Sequence, residues 1–118
     1  MIALGQAVTC YVYSEPVDMR KSIDGLSFLV CEALENNPQN GAVYIFHNKQ
    51  RDKVKLLYWD KNGFIVHYKR LEKGRFKFYR NHGNQTTAIT QRQLSWLLAG
   101  LDFMTMGQFN QLYYTDFY

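Results

Sequence analysis

KLLYWDKNGFIVHYKRLEKGRFKFYR, Lys55 to Arg80, alternates large aromatic side chains with lysines and arginines almost to its end. Successive side chains of a strand point to opposite faces, so a period of two predicts β-structure. Lys53 to Asp60 and Phe64 to Arg70 flank DKNG, where Asn62 and Gly63 tolerate the positive φ of a tight turn. The stretch therefore reads as a β-hairpin. Lys53, Lys55, Leu57 and Trp59 fall on one face, and Val54, Leu56 and Tyr58 on the other. Across the turn, His67 and Lys69 alternate with Val66, Tyr68 and Arg70. One face is expected to bury aliphatics while the other shows Lys53, Lys55 and their neighbours to solvent.

Outward from the hairpin, Ala42 to His47 (AVYIFH) is nearly all apolar and predicts a central strand. Ala7 to Tyr13 (AVTCYVY) predicts another, stopped by SEPVD, where Pro16 forbids a central-strand continuation. Arg75 to Tyr79 is a further candidate strand, and Asn81 to Thr87 (NHGNQTT) reads as a loop. Elsewhere the period changes. Met19, Ile23, Leu26, Val30, Ala33 and Leu34 recur at spacings of three and four, predicting a helix with Asp18 as N-cap. Asn36, Asn37 and Pro38 end it, with Gly41 in the following turn. Gly25 inside this helix costs about 1 kcal/mol relative to alanine, which calls for a close-packed neighbour or a later start. Thr90 to Gln93 (TQRQ) fits a capping box, and Leu94, Leu97, Leu98 and Leu101 give a second helix its buried stripe. The expected fold is α+β: an antiparallel sheet of about four to five strands with two helices. A single domain over residues 1–102 is followed by an aromatic-rich extension, 103–118.

With 118 residues, 47% of them hydrophobic and 20% charged, a folded domain with one modest core is the expectation. No apolar run approaches the roughly 20 residues that span a bilayer, and no secretory leader is readable, so a cytoplasmic location is expected. Cys10 and Cys31 match no zinc or redox spacing and read as reduced and buried. The net charge of +4 is unevenly placed. Eleven of the fourteen basic residues lie between Lys49 and Arg80 and are opposed there only by Asp52, Asp60 and Glu72, giving +8 against −4 for the rest. Such asymmetry points to an anionic partner.

Catalytic constellations are scarce. His47, His67 and His82 have no metal-ligand spacing, and no phosphate-cradling glycine loop or nucleophile motif is present. Asp52, Asp60 and Glu72 sit at predicted turns, where acids are common for conformational reasons. A non-enzyme without metal or cofactor is expected. KGRFKF, Lys73 to Phe78, shares part of the RNA-binding strand signature KGFGFV but lacks its second glycine, and is set aside as chance. Phosphate contacts need only cations within reach. The candidates are Lys53, Lys55, Lys69, Arg70, Arg75 and Lys77, and aromatics beside them can stack on unpaired bases. Arg20 and Lys21 form a second candidate patch; in the first turn of the predicted helix they would oppose its macrodipole. Phe109, Tyr113, Tyr114 and Phe117 in the extension are candidates for docking a protein partner.

VDMRKSIDGL (Val17 to Leu26), VKLLYWDKNGF (Val54 to Phe64), YKRLEKGRF (Tyr68 to Phe76) and ITQRQLSWLLAGLD (Ile89 to Asp102) stand in an order and at distances that closely resemble TnpB, the accessory protein of insertion-sequence-66 elements. This is not the RNA-guided nuclease that shares the name. The resemblance covers about Val8 to Asp102 and implies a bacterial mobile-element protein. It also implies two partners, the small protein TnpA and the transposase TnpC, the latter carrying the acidic catalytic residues. The function expected from it is non-catalytic help in transposition, through DNA bound on the basic sheet. The alternative is an adaptor that docks the transposase or TnpA without itself binding DNA. Self-association is a further possibility. The chain departs from the family pattern at HNKQRD (His47 to Asp52), at Phe78 and Tyr79, and in its aromatic tail.

Overall fold

The computed structural model describes residues 8–78 and 83–102. Five strands and two helices follow one another: β1 (Cys10–Tyr13), α1 (Ile23–Glu32), β2 (Val43–His47), β3 (Lys53–Asp60), β4 (Gly63–Arg70), β5 (Thr86–Ile89) and α2 (Gln91–Leu98). They build one sheet in the order β4-β3-β2-β1-β5. The fold is α+β, with one departure from a purely antiparallel sheet. β1 and β2 run parallel, Tyr11 beside Tyr44, because α1 lies between them and returns the chain to the same end. Every other neighbouring pair is antiparallel.

The expected hairpin forms, with Lys53 opposite Arg70 and Asp60 opposite Gly63. The positive φ of its turn falls on Lys61, at 53°, rather than on Asn62 or Gly63. The apolar run Val43–His47 is buried along its whole length and lies centrally, between β3 and β1. The fifth strand comes from Thr86–Ile89, partly inside the segment expected to be a loop; residues 71–78 carry no strand. β-Branched Thr86 and Thr87 pair with Tyr13 and Val12, and that partner decides the conformation of the segment.

The expectation of one open sheet face is corrected. α1 packs Leu26 and Val30 on the face that carries Tyr44, Phe46 and Leu57. α2 packs Leu94, Leu97 and Leu98 on the face of Cys10, Val43, Ile45, Val54 and Leu56, together with Phe76 and Phe78. Both faces are core, and full burial of each such side chain contributes roughly 1.5–3 kcal/mol.

α1 begins four residues later than the sequence pattern suggests. Its N-cap is Ser22, without a side-chain capping bond, so Asp18, Arg20 and Lys21 precede the helix. Gly25 then lies in the first turn, where an added Cβ would meet Lys21 Cβ at 3.1 Å, so the Lys21 stem occupies that space. Both explanations of the glycine hold. Ile23 and Cys31 are exposed, the latter against the expectation that both cysteines are buried. The capping box of α2 is complete: Gln93 N–H donates to Thr90 Oγ1 at 3.1 Å and Thr90 N–H to Gln93 Oε1 at 2.9 Å. Leu101 lies past the helix and is exposed. Among the described residues, no helix is long and apolar enough to cross a membrane. Phe109, Tyr113, Tyr114 and Phe117 lie outside the described residues.

Candidate nucleic-acid interface

β2 leaves the core at His47, and the next residues form a turn organised by one buried amide. Asn48 Oδ1 accepts from the N–H groups of Asp52 and Lys53 at 3.1 and 3.0 Å. Its Nδ2 donates to Asp52 Oδ1 at 2.6 Å and to Gln50 Oε1 at 3.2 Å. Those bonds hold the Asp52 carboxyl below its usual range. Arg51 adopts the left-handed region, φ 62°, and its carbonyl accepts from Phe76 N–H at 2.7 Å. The Asp52 carbonyl accepts from Leu71 N–H at 2.8 Å. The turn is thus tied to the segment that follows β4.

This arrangement gathers cations at one end of the sheet instead of spreading them over a face. Lys49, Arg51 and Lys53 lie on the turn, with Arg70 across the register from Lys53. Lys73, Arg75 and Lys77 lie on the tied segment and are exposed, while Phe76 and Phe78 between them are buried. Lys49, Arg51, Lys53, Lys73, Arg75 and Lys77 make no ion pair among the described residues. Arg70 does: its Nη2 lies 2.9 Å from Glu72 Oε1 in an exposed pair that holds the Glu72 carboxyl below its usual range.

Two of the expected phosphate contacts are bonded to backbone carbonyls, Lys55 in the interior and Lys69 at the surface. Lys55 is 9% exposed, and its ammonium donates to the carbonyls of Met19 and Lys21, both at 2.7 Å. Such acceptors replace the water a buried ammonium loses. Lys69 donates to the Leu98 carbonyl at 2.6 Å, at the C-terminus of α2, where a cation complements the helix dipole. Arg20 pairs with Asp18, two residues away, through contacts of 2.6–3.1 Å. Arg20 N–H also donates to Asp18 Oδ1 at 2.9 Å. Together these pull the Asp18 carboxyl down to about 2.

Beside the turn lies a cleft of about 630 Å³, lined by Pro16–Arg20, Asn48–Gln50, Lys53 and Tyr68. Its 16–20 wall is held by the Lys55 ammonium from below and by a bond from Val17 N–H to the His47 carbonyl, 2.8 Å. Tyr68 is 54% exposed, with the Lys55 ammonium 5.3 Å from its ring centroid. His47, 6% exposed, stacks on Phe78 at 4.2 Å and donates from Nδ1 to the Asn48 carbonyl at 3.0 Å. Its burial keeps the imidazole pKa below the usual range.

Asp52 and Asp60 stand at opposite ends of β3, roughly 25 Å apart at about 3.3 Å per residue. Among the described residues, no three His, Cys, Asp or Glu side chains converge as a metal site would require. Lys49, Arg51 and Tyr68 join the candidate site, although the sequence pattern alone does not single them out. The signal for Tyr68 was available, because the period of two places it on the face of Lys53 and Lys55.

Fold and site define a small basic α+β domain with cations on and around a hydrogen-bonded turn beside a cleft. The chain belongs to the IS66 Orf2-like family, whose model matches residues 8–108. It is similar to two uncharacterized proteins of Sinorhizobium fredii: y4jC, 34% identical over 87% of each chain, and y4hO, 33% identical over 87% of this chain and 89% of that one. No solved structure matches it. The four sequence motifs meet in pairs: Lys55 binds the carbonyls of the first, and Lys69 binds the last turn of the fourth.

Proposed function

We propose that the protein serves transposition as a non-catalytic accessory that binds DNA through the basic end of its sheet. The observation that carries this reading is that the turn bearing Lys49, Arg51 and Lys53, held by Asn48, is bonded through Arg51 to the segment bearing Lys73, Arg75 and Lys77. A cluster of cations without an ion pair among the described residues has its charge available to phosphates, and gives affinity without reading sequence. Arg70 and Arg20 border it with their charge partly neutralised. Lys55 supports it from within, Lys69 is tied to the Leu98 carbonyl, and Lys21 carries its stem over Gly25.

Fluorescence anisotropy against labelled element-end and scrambled DNA, at several salt concentrations, tests the reading. The wild type should bind both with an affinity that falls steeply with salt, and the pair Arg75→Ala/Lys77→Ala should weaken binding and flatten the slope by up to about one unit per lost contact. Unchanged affinity and slope would remove the cluster from consideration.

A second reading, an adaptor that docks the transposase or its small partner, draws on the outer face of α1. There Phe28 is 67% exposed, the most exposed of the large apolar side chains among the described residues. Pull-down of the co-expressed transposase by wild type but not by Phe28→Ser would favour it.

A further inference from the structure

The cleft beside the basic turn has a chemistry that a phosphate-binding surface alone does not need. It combines an exposed aromatic ring, Tyr68, with three cations, Arg20, Lys49 and Lys53, against one carboxylate, Asp18, which Arg20 already engages. Its volume of about 630 Å³ lies within the range of small-molecule pockets, roughly 300–1,000 Å³, and admits a nucleotide but not a duplex. The walls are pre-organised. Lys55 fixes the 18–21 turn through two carbonyls and also lies against the Tyr68 ring, and Asn48 fixes the turn that carries Lys49 and Gln50. A ring beside cations is how single strands are gripped irrespective of sequence: bases stack on the aromatic face while the backbone follows the positive charge.

We infer that this cleft receives an unpaired nucleotide of single-stranded DNA, its base stacked on Tyr68 and its phosphate held by Lys49 and Lys53. The inference rests on the DNA-binding reading above and specifies its ligand: an unpaired strand, or a duplex with a single-stranded overhang, binds better than a blunt duplex. Gln50, whose side-chain oxygen accepts from Asn48, lies on the same wall with its amide NH₂ as a donor for base edges.

The test compares a labelled oligothymidylate, a blunt duplex and the same duplex with a short overhang, against wild type, Tyr68→Leu, Tyr68→Phe and Lys49→Ala/Lys53→Ala. Leucine keeps apolar bulk without a ring face, and a thermal melt of each variant checks that it folds. The expected result is tighter binding of strand and overhang than of blunt duplex. Tyr68→Leu should lose about tenfold for the single strand with blunt-duplex affinity unchanged, and Tyr68→Phe should keep it. Tyr68→Trp adds a direct signal, quenching of indole fluorescence by the stacked base. Equal binding of all three DNAs, insensitive to Tyr68→Leu but weakened by Lys49→Ala/Lys53→Ala, would overturn the unpaired-nucleotide site and leave the phosphate surface standing. No binding of any DNA at low salt would overturn both.

Discussion

Lys55 donates its ammonium to the Lys21 carbonyl at 2.7 Å, bonding a residue of β3 to one 34 positions earlier in the chain. The same ammonium bonds the Met19 carbonyl, so a single cation holds the whole 18–21 turn against the sheet. Two lysines in the basic stretch therefore differ in kind. Lys55 builds the wall of the cleft, whereas Lys53, two residues earlier on the same face, lines the cleft itself.

Lys55→Met should consequently behave as a core mutation. It preserves the stem but leaves two carbonyls without their donor, and hydrogen bonds to charged groups contribute about 1.5–3 kcal/mol. Urea unfolding should show a loss of that order with little change in m-value. A stability within experimental error of wild type would contradict the role assigned to the ammonium.

Asn48→Ala should release the turn without touching a cation. Four hydrogen bonds depend on that side chain, and removing them should cost about 2 kcal/mol. Amide hydrogen exchange should accelerate at Asp52 and Lys53, whose N–H groups lose their acceptor. If DNA binding depends on the rigid turn, affinity falls in the same variant although every positive charge remains.

Removing the hydroxyl of Thr90 tests the second helix. Thr90→Ala breaks one arm of the capping box and should lower stability by about 1 kcal/mol, read as a drop in Tm. Thr90→Ser should retain most of it.

The His47 imidazole is buried and its folded-state pKa lies below the ordinary 6.5. The unfolded chain therefore takes up the proton first as pH falls. Stability from this group is fully present above about pH 6.5 and declines as pH drops from there toward the folded pKa. His47→Phe, which keeps a ring against Phe78, should flatten that part of the stability–pH curve in denaturation experiments.

Asp18 titrates at about 2 against an ordinary 3.8, held down chiefly by hydrogen bonding to Arg20. What this pair contributes is present above about pH 4 and lost as pH falls through 2. A carboxyl NMR titration should find the low midpoint, and Arg20→Ala should return it toward 3.8; an unmoved midpoint would exclude the pairing.

Much of the architecture was legible from local pattern. The period-two alternation of Lys53–Arg70, the continuous apolar run of Val43–His47 and the TQRQ capping box are short-range signals, and each became the element it implied. β5 escaped because Thr86–Ile89 is four residues long and becomes a strand by pairing with β1. The start of α1 was displaced because Met19 continues the apolar spacing, while its backbone is committed to a turn held by Lys55. The charge asymmetry was likewise evident, but not its disposition.

By itself, the sequence determined the α+β composition, the hairpin strands, the family and the concentration of positive charge in one stretch. These depend on side-chain periodicity and residue type, which neighbouring positions carry. Only the tertiary structure decided which cations are tied to backbone carbonyls. Lys55 and Lys69 find their acceptors 36 and 29 positions away, at Met19 and Leu98, and no local pattern encodes a carbonyl brought near by folding. The same long-range closure sets Tyr68 beside Lys53 and the 16–20 wall, making a cleft where the alternating strands alone implied a flat charged face.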